Sequence, residues 1–210
     1  KPINVERMIA SYKSHKLVYE HEGEKIYISN IDVSITEKCS MKCRDCANLM
    51  QYYVSPKNSI SSDVIKAIDK LMQNISNLNE LRILGGEPFV NKEMYKIVNF
   101  ASTITNINNI IIYSNATILP KNENLECLKN KKIKLDITNY GKELSKNHDK
   151  IIEILRSNNI AYTTQIIEKW SDRGTVKFRN RTDKENAKVF KNCCVNDYYS
   201  LLNGKLYGCP

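Results

Sequence analysis

Three cysteines fall within eight residues, at Cys39, Cys43 and Cys46 in the stretch CSMKCRDC. A thiolate is a soft ligand, so three of them on one short loop can hold zinc or an iron-sulfur cluster. Structural zinc takes four ligands, usually in two separated CxxC-like halves, and this CxxxCxxC loop has no fourth ligand nearby. Three cysteines on a four-iron cluster leave one iron open for something else. The other four cysteines are Cys127, which stands alone, and Cys193, Cys194 and Cys209 near the end. Seven is an odd number and the spacing is uneven, so a disulfide framework does not fit. Metal ligands or reactive thiols in a reducing cytoplasm do.

The elements that must carry this loop follow from hydrophobic periodicity. NIDVSITE (30–37) reads as a strand leading into the cysteine loop. In SSDVIKAIDKLMQNI (61–75), Val64, Ile65, Ile68, Leu71, Met72 and Ile75 make one helical face, with Ser61 or Ser62 as cap. ELRILGG (80–86) and a helix from about Lys92 to Ile104 repeat the unit. NIIIYSN (109–115), KIKLDIT (132–138) and IAYTTQII (160–167) give three more strands, with a helical turn near Leu125 and a helix around His148 to Ser157. This alternation predicts an α/β fold around a parallel sheet of the barrel type. Such strands carry polar residues at their carboxyl ends, here Thr36 and Glu37, Gly85 to Glu87, Ser114 and Asn115, Asp136 to Asn139, and Gln165. One rim therefore gathers the cysteines and these groups. After Trp170 the chain is charged and loop-rich, then a helix near Ala187 precedes YYSLL and KLYG. Asn203-Gly204 between them is a strong hairpin turn signal.

The bulk numbers exclude some classes. The chain has 210 residues, enough for one main domain, with 41% hydrophobic and 26% charged residues, and no apolar run long enough for a membrane span. The start, KPINVERMIA, lacks the pattern of a secretory signal, which predicts a cytoplasmic protein. The net charge of +9 comes from scattered lysines, with KNKKIK (129–134) the only cluster. That distribution argues against a nucleic-acid interface and leaves room for attraction to a phosphorylated or nucleotide-linked substrate.

A second motif, GGEP at 85–88, closes the second strand about 40 residues after the cysteine loop. In this order the two motifs resemble the radical S-adenosylmethionine (radical SAM) superfamily. The resemblance implies a partial (β/α)6 TIM-like barrel over 30–182 with a small C-terminal β-hairpin extension, preceded by an N-terminal extension, 1–29. It implies that Cys39, Cys43 and Cys46 ligate a 4Fe-4S cluster whose fourth iron takes the amino and carboxylate groups of S-adenosyl-L-methionine. Reductive cleavage there would yield a 5'-deoxyadenosyl radical that abstracts hydrogen. Gly85, Gly86, Glu87 and Pro88 would hold the methionine amino group. Ser114, Asn115 and Asp136 would meet the cofactor at the same rim. One position departs from the pattern: the residue before the third cysteine, commonly aromatic in the family, is Asp45.

The tail is similar to the opening of the SPASM and twitch extensions of that superfamily. Ten residues separate Cys193 from Gly204 and four more separate it from Cys209. By resemblance, Cys193, Cys194 and Cys209 begin a second, auxiliary 4Fe-4S site over 183–210, with Cys194 alternatively a hydrogen-atom donor. Cys127 reads as a buried small hydrophobe. His15, His21 and His148 lie in polar stretches and receive no role. Trp170 and Asp172, after the fifth strand, are candidate substrate contacts.

The expected function is hydrogen abstraction from a small polar molecule, with dehydrogenation or epimerisation of a sugar or nucleotide-sugar foremost. An electron donor such as flavodoxin or ferredoxin is implied as partner. Two alternatives are a peptide-modifying SPASM maturase and a noncatalytic metal- or nucleic-acid-binding protein.

Overall fold

A computed structural model describes residues 26–167, 178–193 and 198–208. Cys194, Cys209, Trp170, Asp172, His15, His21 and most of the expected N-terminal extension lie outside them. Five strands come in chain order: β1 (Tyr27–Ser34), β2 (Asn77–Leu84), β3 (Ile107–Ser114), β4 (Ile133–Asn139) and β5 (Tyr162–Ile166). The helices that connect and follow them are α1 (Ser61–Met72), α2 (Met94–Thr103), the four-residue α3 (Glu123–Glu126), α4 (His148–Ser157) and α5 (Asp183–Lys191). A hairpin of β6 (Tyr199–Leu202) and β7 (Lys205–Tyr207) follows. The expected units are all present, each within a few residues of the expected bounds.

The seven strands form one sheet in the order β5-β4-β3-β2-β1-β6-β7, parallel except for the final pair. The expected α/β class holds, with one correction. The hairpin is not an appendage: β6 pairs in parallel with β1, Ile31 opposite Tyr199 and Val33 opposite Leu201. Burial of Leu201 joins it to the main core, which is the reason it docks. Asn203 and Gly204 both have positive φ, 51° and 74°, as a two-residue hairpin turn requires.

A second correction concerns α1. Its N-cap is Ile60 with no side-chain bond, and Ser61 instead donates to Glu93 Oε2 at 2.9 Å, tying α1 to the start of α2. By contrast α5 has a complete capping box between Thr182 and Glu185.

Side chains alternate across a strand, and this sheet uses its two faces differently. Ile31, Val33, Leu81, Ile83, Ile110, Ile112, Ile133, Leu135 and Ile137 pack under Ile68, Met94, Ile97, Val98, Ile151 and Leu155 of the helices. The intervening residues Asn30, Asp32, Glu80, Arg82 and Asp136 take no part in that core and lie on the opposite, inner face.

Candidate metal centre

The cysteine loop leaves β1 at the carboxyl end of the sheet and is held there by β2. Gly85 has φ +144°, and a Cβ on it would meet the Thr36 carbonyl oxygen at 2.3 Å; a Cβ on Gly86 would meet the Lys38 oxygen at 2.1 Å and Cys39 Cβ at 2.8 Å. Only glycine permits that approach. Gly86 N–H then donates to Thr36 O (2.9 Å), Glu87 N–H to Lys38 O (3.0 Å), and the Asn48 amide to Gly85 O (3.1 Å). The two motifs are thus halves of one joint, and the glycines set where Cys39 starts.

Glu87, to which the resemblance gives the methionine amino group, is drawn into the same joint. Its carboxylate is fully buried and accepts from Phe89 N–H (3.3 Å), Ser114 Oγ (3.1 and 3.2 Å) and Asn115 N–H (2.8 Å). Burial pushes its pKa up to about 7, opposed by those donors. A carboxylate enclosed this way reaches the rim only through its partners. Asn115 passes the contact on, donating to Cys39 Sγ at 3.7 Å and to Ser40 Oγ at 3.2 Å, while Ser40 also bonds Thr117. The ends of β1, β2 and β3 are therefore locked together around the first cysteine. Ser114 is part of this lock. Asp136 is buried on β4, opposite Tyr113, on the inner face.

The three thiols are half-buried neighbours. Burial raises the pKa of Cys39 and of Cys43, and the charge of Cys46 adds to both. Thiolates at Cys39 and Cys43 are disfavoured by burial and by the neighbouring charge, so a positive centre is needed to hold them ionised. No three or more His, Cys, Asp or Glu side chains among the described residues converge on a single ion position.

Asp45 pairs with Arg44 at 2.9 Å, with its own side chain 16% exposed. Tyr140, which sequence reasoning missed, is the aromatic group beside this loop: burial, then the charge of Cys43, push its phenol up to about 12. Its only signal in the sequence is its place directly after β4, before Gly141 (φ +94°). Cys193 is half-buried just past α5. Cys127 is in the core, its pKa raised to about 12 by burial, as a small hydrophobe should be. His148 is not a bare surface residue: Nδ1 meets Asp149 (2.8 Å) and Nε2 meets Thr164 (2.9 Å), joining α4 to β5.

Comparison with known proteins places these features. Residues 32–151, more than half of the chain, match the family of the 4Fe-4S single cluster domain. GTP 3',8-cyclase of Clostridium acetobutylicum is 35% identical over 96 residues, covering 44% of this chain and 30% of that protein. The mitochondrial GTP 3',8-cyclase of Arabidopsis thaliana is 26% identical over 91 residues, covering 42% and 23%. The matched part thus spans less than a third of either relative. Among solved structures, BtrN in complex with AdoMet and 2-DOIA has a TM-score of 0.61 at 15% identity, covering 88% of this chain and 74% of that one. Streptococcus suis SuiB bound to precursor peptide SuiA has a TM-score of 0.58 at 16% identity, covering 75% and 36%. These two likenesses concern the fold.

Proposed function

Starting from the fact that the chain belongs to the 4Fe-4S single cluster domain family and to the radical SAM superfamily, we propose that it is an enzyme that abstracts hydrogen from a small polar substrate. The observation that carries this is the joint between the glycine turn and the cysteine loop, which puts Cys39, Cys43 and Cys46 side by side at one rim. These three would hold the 4Fe-4S cluster, and S-adenosylmethionine would lie across the same rim. When bound, the cluster supplies the electron that cleaves the sulfonium and so starts radical chemistry.

The chain's own residues orient and shield. The backbone of the turn Gly85–Pro88 would receive the methionine amino group, since the Glu87 carboxylate is spent on Ser114 and Asn115. Asn115 and Ser40 fix the first cysteine. Tyr140, close enough to feel the charge of Cys43, would wall the loop from the β4 side. Cys193, Cys194 and Cys209 remain candidates for an auxiliary cluster beginning at 183, with Cys194 a candidate hydrogen donor.

The substrate we favour is a sugar or nucleotide-sugar, undergoing dehydrogenation or epimerisation. A cleft of about 560 Å3 lined by Lys92, Lys121 and Lys146, reaching Thr117 next to the loop, supports a phosphorylated or nucleotide-linked form. The named relatives favour a second reading, cyclisation of a nucleotide, because their identity to this chain lies in GTP 3',8-cyclases. A peptide substrate is a third, supported by the fold shared with SuiB. Electron delivery by a flavodoxin or ferredoxin suits the exposed Leu49, Tyr52, Tyr53 and Val54 beside Lys42 and Arg44, an apolar patch with basic neighbours next to the cysteines. Free thiols at Cys39, Cys43, Cys46, Cys127 and Cys193 suit a reducing cytoplasm, and no helix among the described residues is long and apolar enough to cross a membrane.

The test is anaerobic incubation of iron-replete protein with S-adenosylmethionine and dithionite. Formation of 5'-deoxyadenosine is expected, and its absence overturns the reading. Deuterated sugars, nucleotides and peptides then separate the substrates by which one delivers deuterium to that product.

A further inference from the structure

We propose that the inner face of the sheet carries an anchoring site for an amine-bearing polar molecule, built from Asn30 and Asp32 of β1 and Ser200 of β6. This deepens the enzymatic reading and rests on it, because the molecule anchored there would be the substrate. Three observations carry the site.

The first is placement. Asp32 is flanked in register by Arg82 on β2 and Ser200 on β6, and Asn30 lies two residues earlier on the same face of β1. None of these residues belongs to the core under the helices. From Asp32 to Thr36, where the cysteine loop begins, is about 13 Å of extended chain. A molecule held at Asp32 can therefore reach toward the rim without leaving the face.

The second is unmet hydrogen bonding. Asn30 is 3% and Asp32 7% exposed, yet among the described residues Asn30 Oδ1, Asp32 Oδ1 and, on the neighbouring strand, Ser200 Oγ have no hydrogen-bond partner. Asp32 Oδ1 has Arg82 Nη1 at 4.0 Å, beyond hydrogen-bond reach. Buried polar atoms are nearly always paired, and a set of acceptors left open together asks for a ligand that brings donors.

The third is charge. Arg82 is already engaged: its Nε and Nη2 both meet Glu80 Oε2 at 2.8 Å, and the Tyr198 ring lies 5.1 Å from its guanidinium carbon. One cation between two carboxylates leaves the trio with a net charge of −1 when all are ionised, and the uncompensated share falls on Asp32. Burial pushes the Asp32 pKa up to about 6 despite Arg82, so the group is still mostly ionised at neutral pH. A phosphate or carboxylate would be repelled at Asp32, so any phosphate the substrate carries must lie away from this end. An ammonium flanked by hydroxyls would give Asp32 a counter-ion and satisfy Asn30 and Ser200.

The experiment uses the full chain and glucosamine as probe, with myo-inositol as the neutral polyol and glucuronate as the anionic control, each titrated at pH 7.5 and followed by NMR. Glucosamine should bind saturably, inositol more weakly, and glucuronate not at all. Asp32→Asn should weaken glucosamine by about tenfold, the size of one charge-assisted hydrogen bond, and should change inositol far less. Ser200→Ala, with a thermal melt to verify folding, should weaken both by a few-fold. Absence of saturable glucosamine binding, equal binding of glucuronate, or glucosamine binding untouched by both substitutions overturns the site. So does a crystal structure in which the chain's own residues fill the three acceptors. Cleavage of S-adenosylmethionine is scored separately on unsubstituted protein, so loss of this inference leaves the radical SAM reading standing, and the reverse.

Discussion

The same strands present two faces that obey opposite rules. Under the helices, Ile31, Leu81, Ile110 and Leu135 have no exposure and no polar side-chain atom to satisfy. On the inner face, one residue further along each strand, Asp32, Arg82, Ile111 and Asp136 alternate charge with apolar surface, and Asn30 Oδ1, Asp32 Oδ1 and Ser200 Oγ have no partner among the described residues. The helix face holds the fold together; the inner face spends part of that stability on buried polarity. Burying polar atoms without partners costs on the order of 1–3 kcal/mol each, a cost that ligand binding can offset. The rim joins the two faces, because the glycine turn packs on the cysteine loop while Glu87 draws β3 into the same joint.

Substitutions can break this contrast, and the largest effect is expected at the rim. Cys43→Ala should remove the 4Fe-4S absorbance and cut 5'-deoxyadenosine formation more than about a hundredfold, while the fold melts close to the unsubstituted protein. Gly86→Ala comes next. Its Cβ would sit 2.1 Å from the Lys38 oxygen, so the joint must open, and reconstituted iron content should fall together with thermal stability.

On the helix face, Ile110→Ala should cost about 2–4 kcal/mol in urea unfolding, since the side chain is wholly buried and leaves a cavity. Ser200→Ala on the inner face should cost less than about 1 kcal/mol or be neutral, because it removes an unpaired hydroxyl. Equal costs at the two sites would erase the distinction between the faces.

Asp32 sharpens the contrast through pH. Its pKa is raised from 3.8 to about 6, so the folded state holds its proton more tightly than the unfolded chain does. The stability this contributes is complete below about pH 4 and is lost as pH rises through about 6. Compared with Asp32→Asn, the unsubstituted protein should therefore lose as much as about 3 kcal/mol between pH 4 and 7. A difference that stays flat across that range would mean that Asp32 is solvated or fully paired. A modest effect is expected at Cys127→Ser, where a core thiol becomes a hydroxyl: about 1–2 kcal/mol of stability with no change in iron content.

Much of this was legible from local signals. Period-two and period-3.6 patterns located β1 to β5 and the larger helices, and Asn203-Gly204 marked the hairpin turn, because each signal depends on residues adjacent in the chain. The three cysteines and the glycine turn were legible as chemistry for the same reason. The docking of β6 on β1 was not, since its pairing spans more than 160 residues and depends on Leu201 finding Val33. Nor was the Ser61–Glu93 bond, which displaced the expected cap, or Tyr140, whose role comes from folding beside a loop nearly 100 residues earlier.

The sequence by itself determined where the three clustered cysteines fall, the strand that leads into them and the glycine turn that follows, because residue type and short spacing carry that information. Only the tertiary structure decided what Glu87 does, and that Asp32, Arg82 and Ser200 share one face. A hydrogen bond or an ion pair forms where separate strands are brought into register, and register is set by the packing of the whole sheet rather than by any one segment.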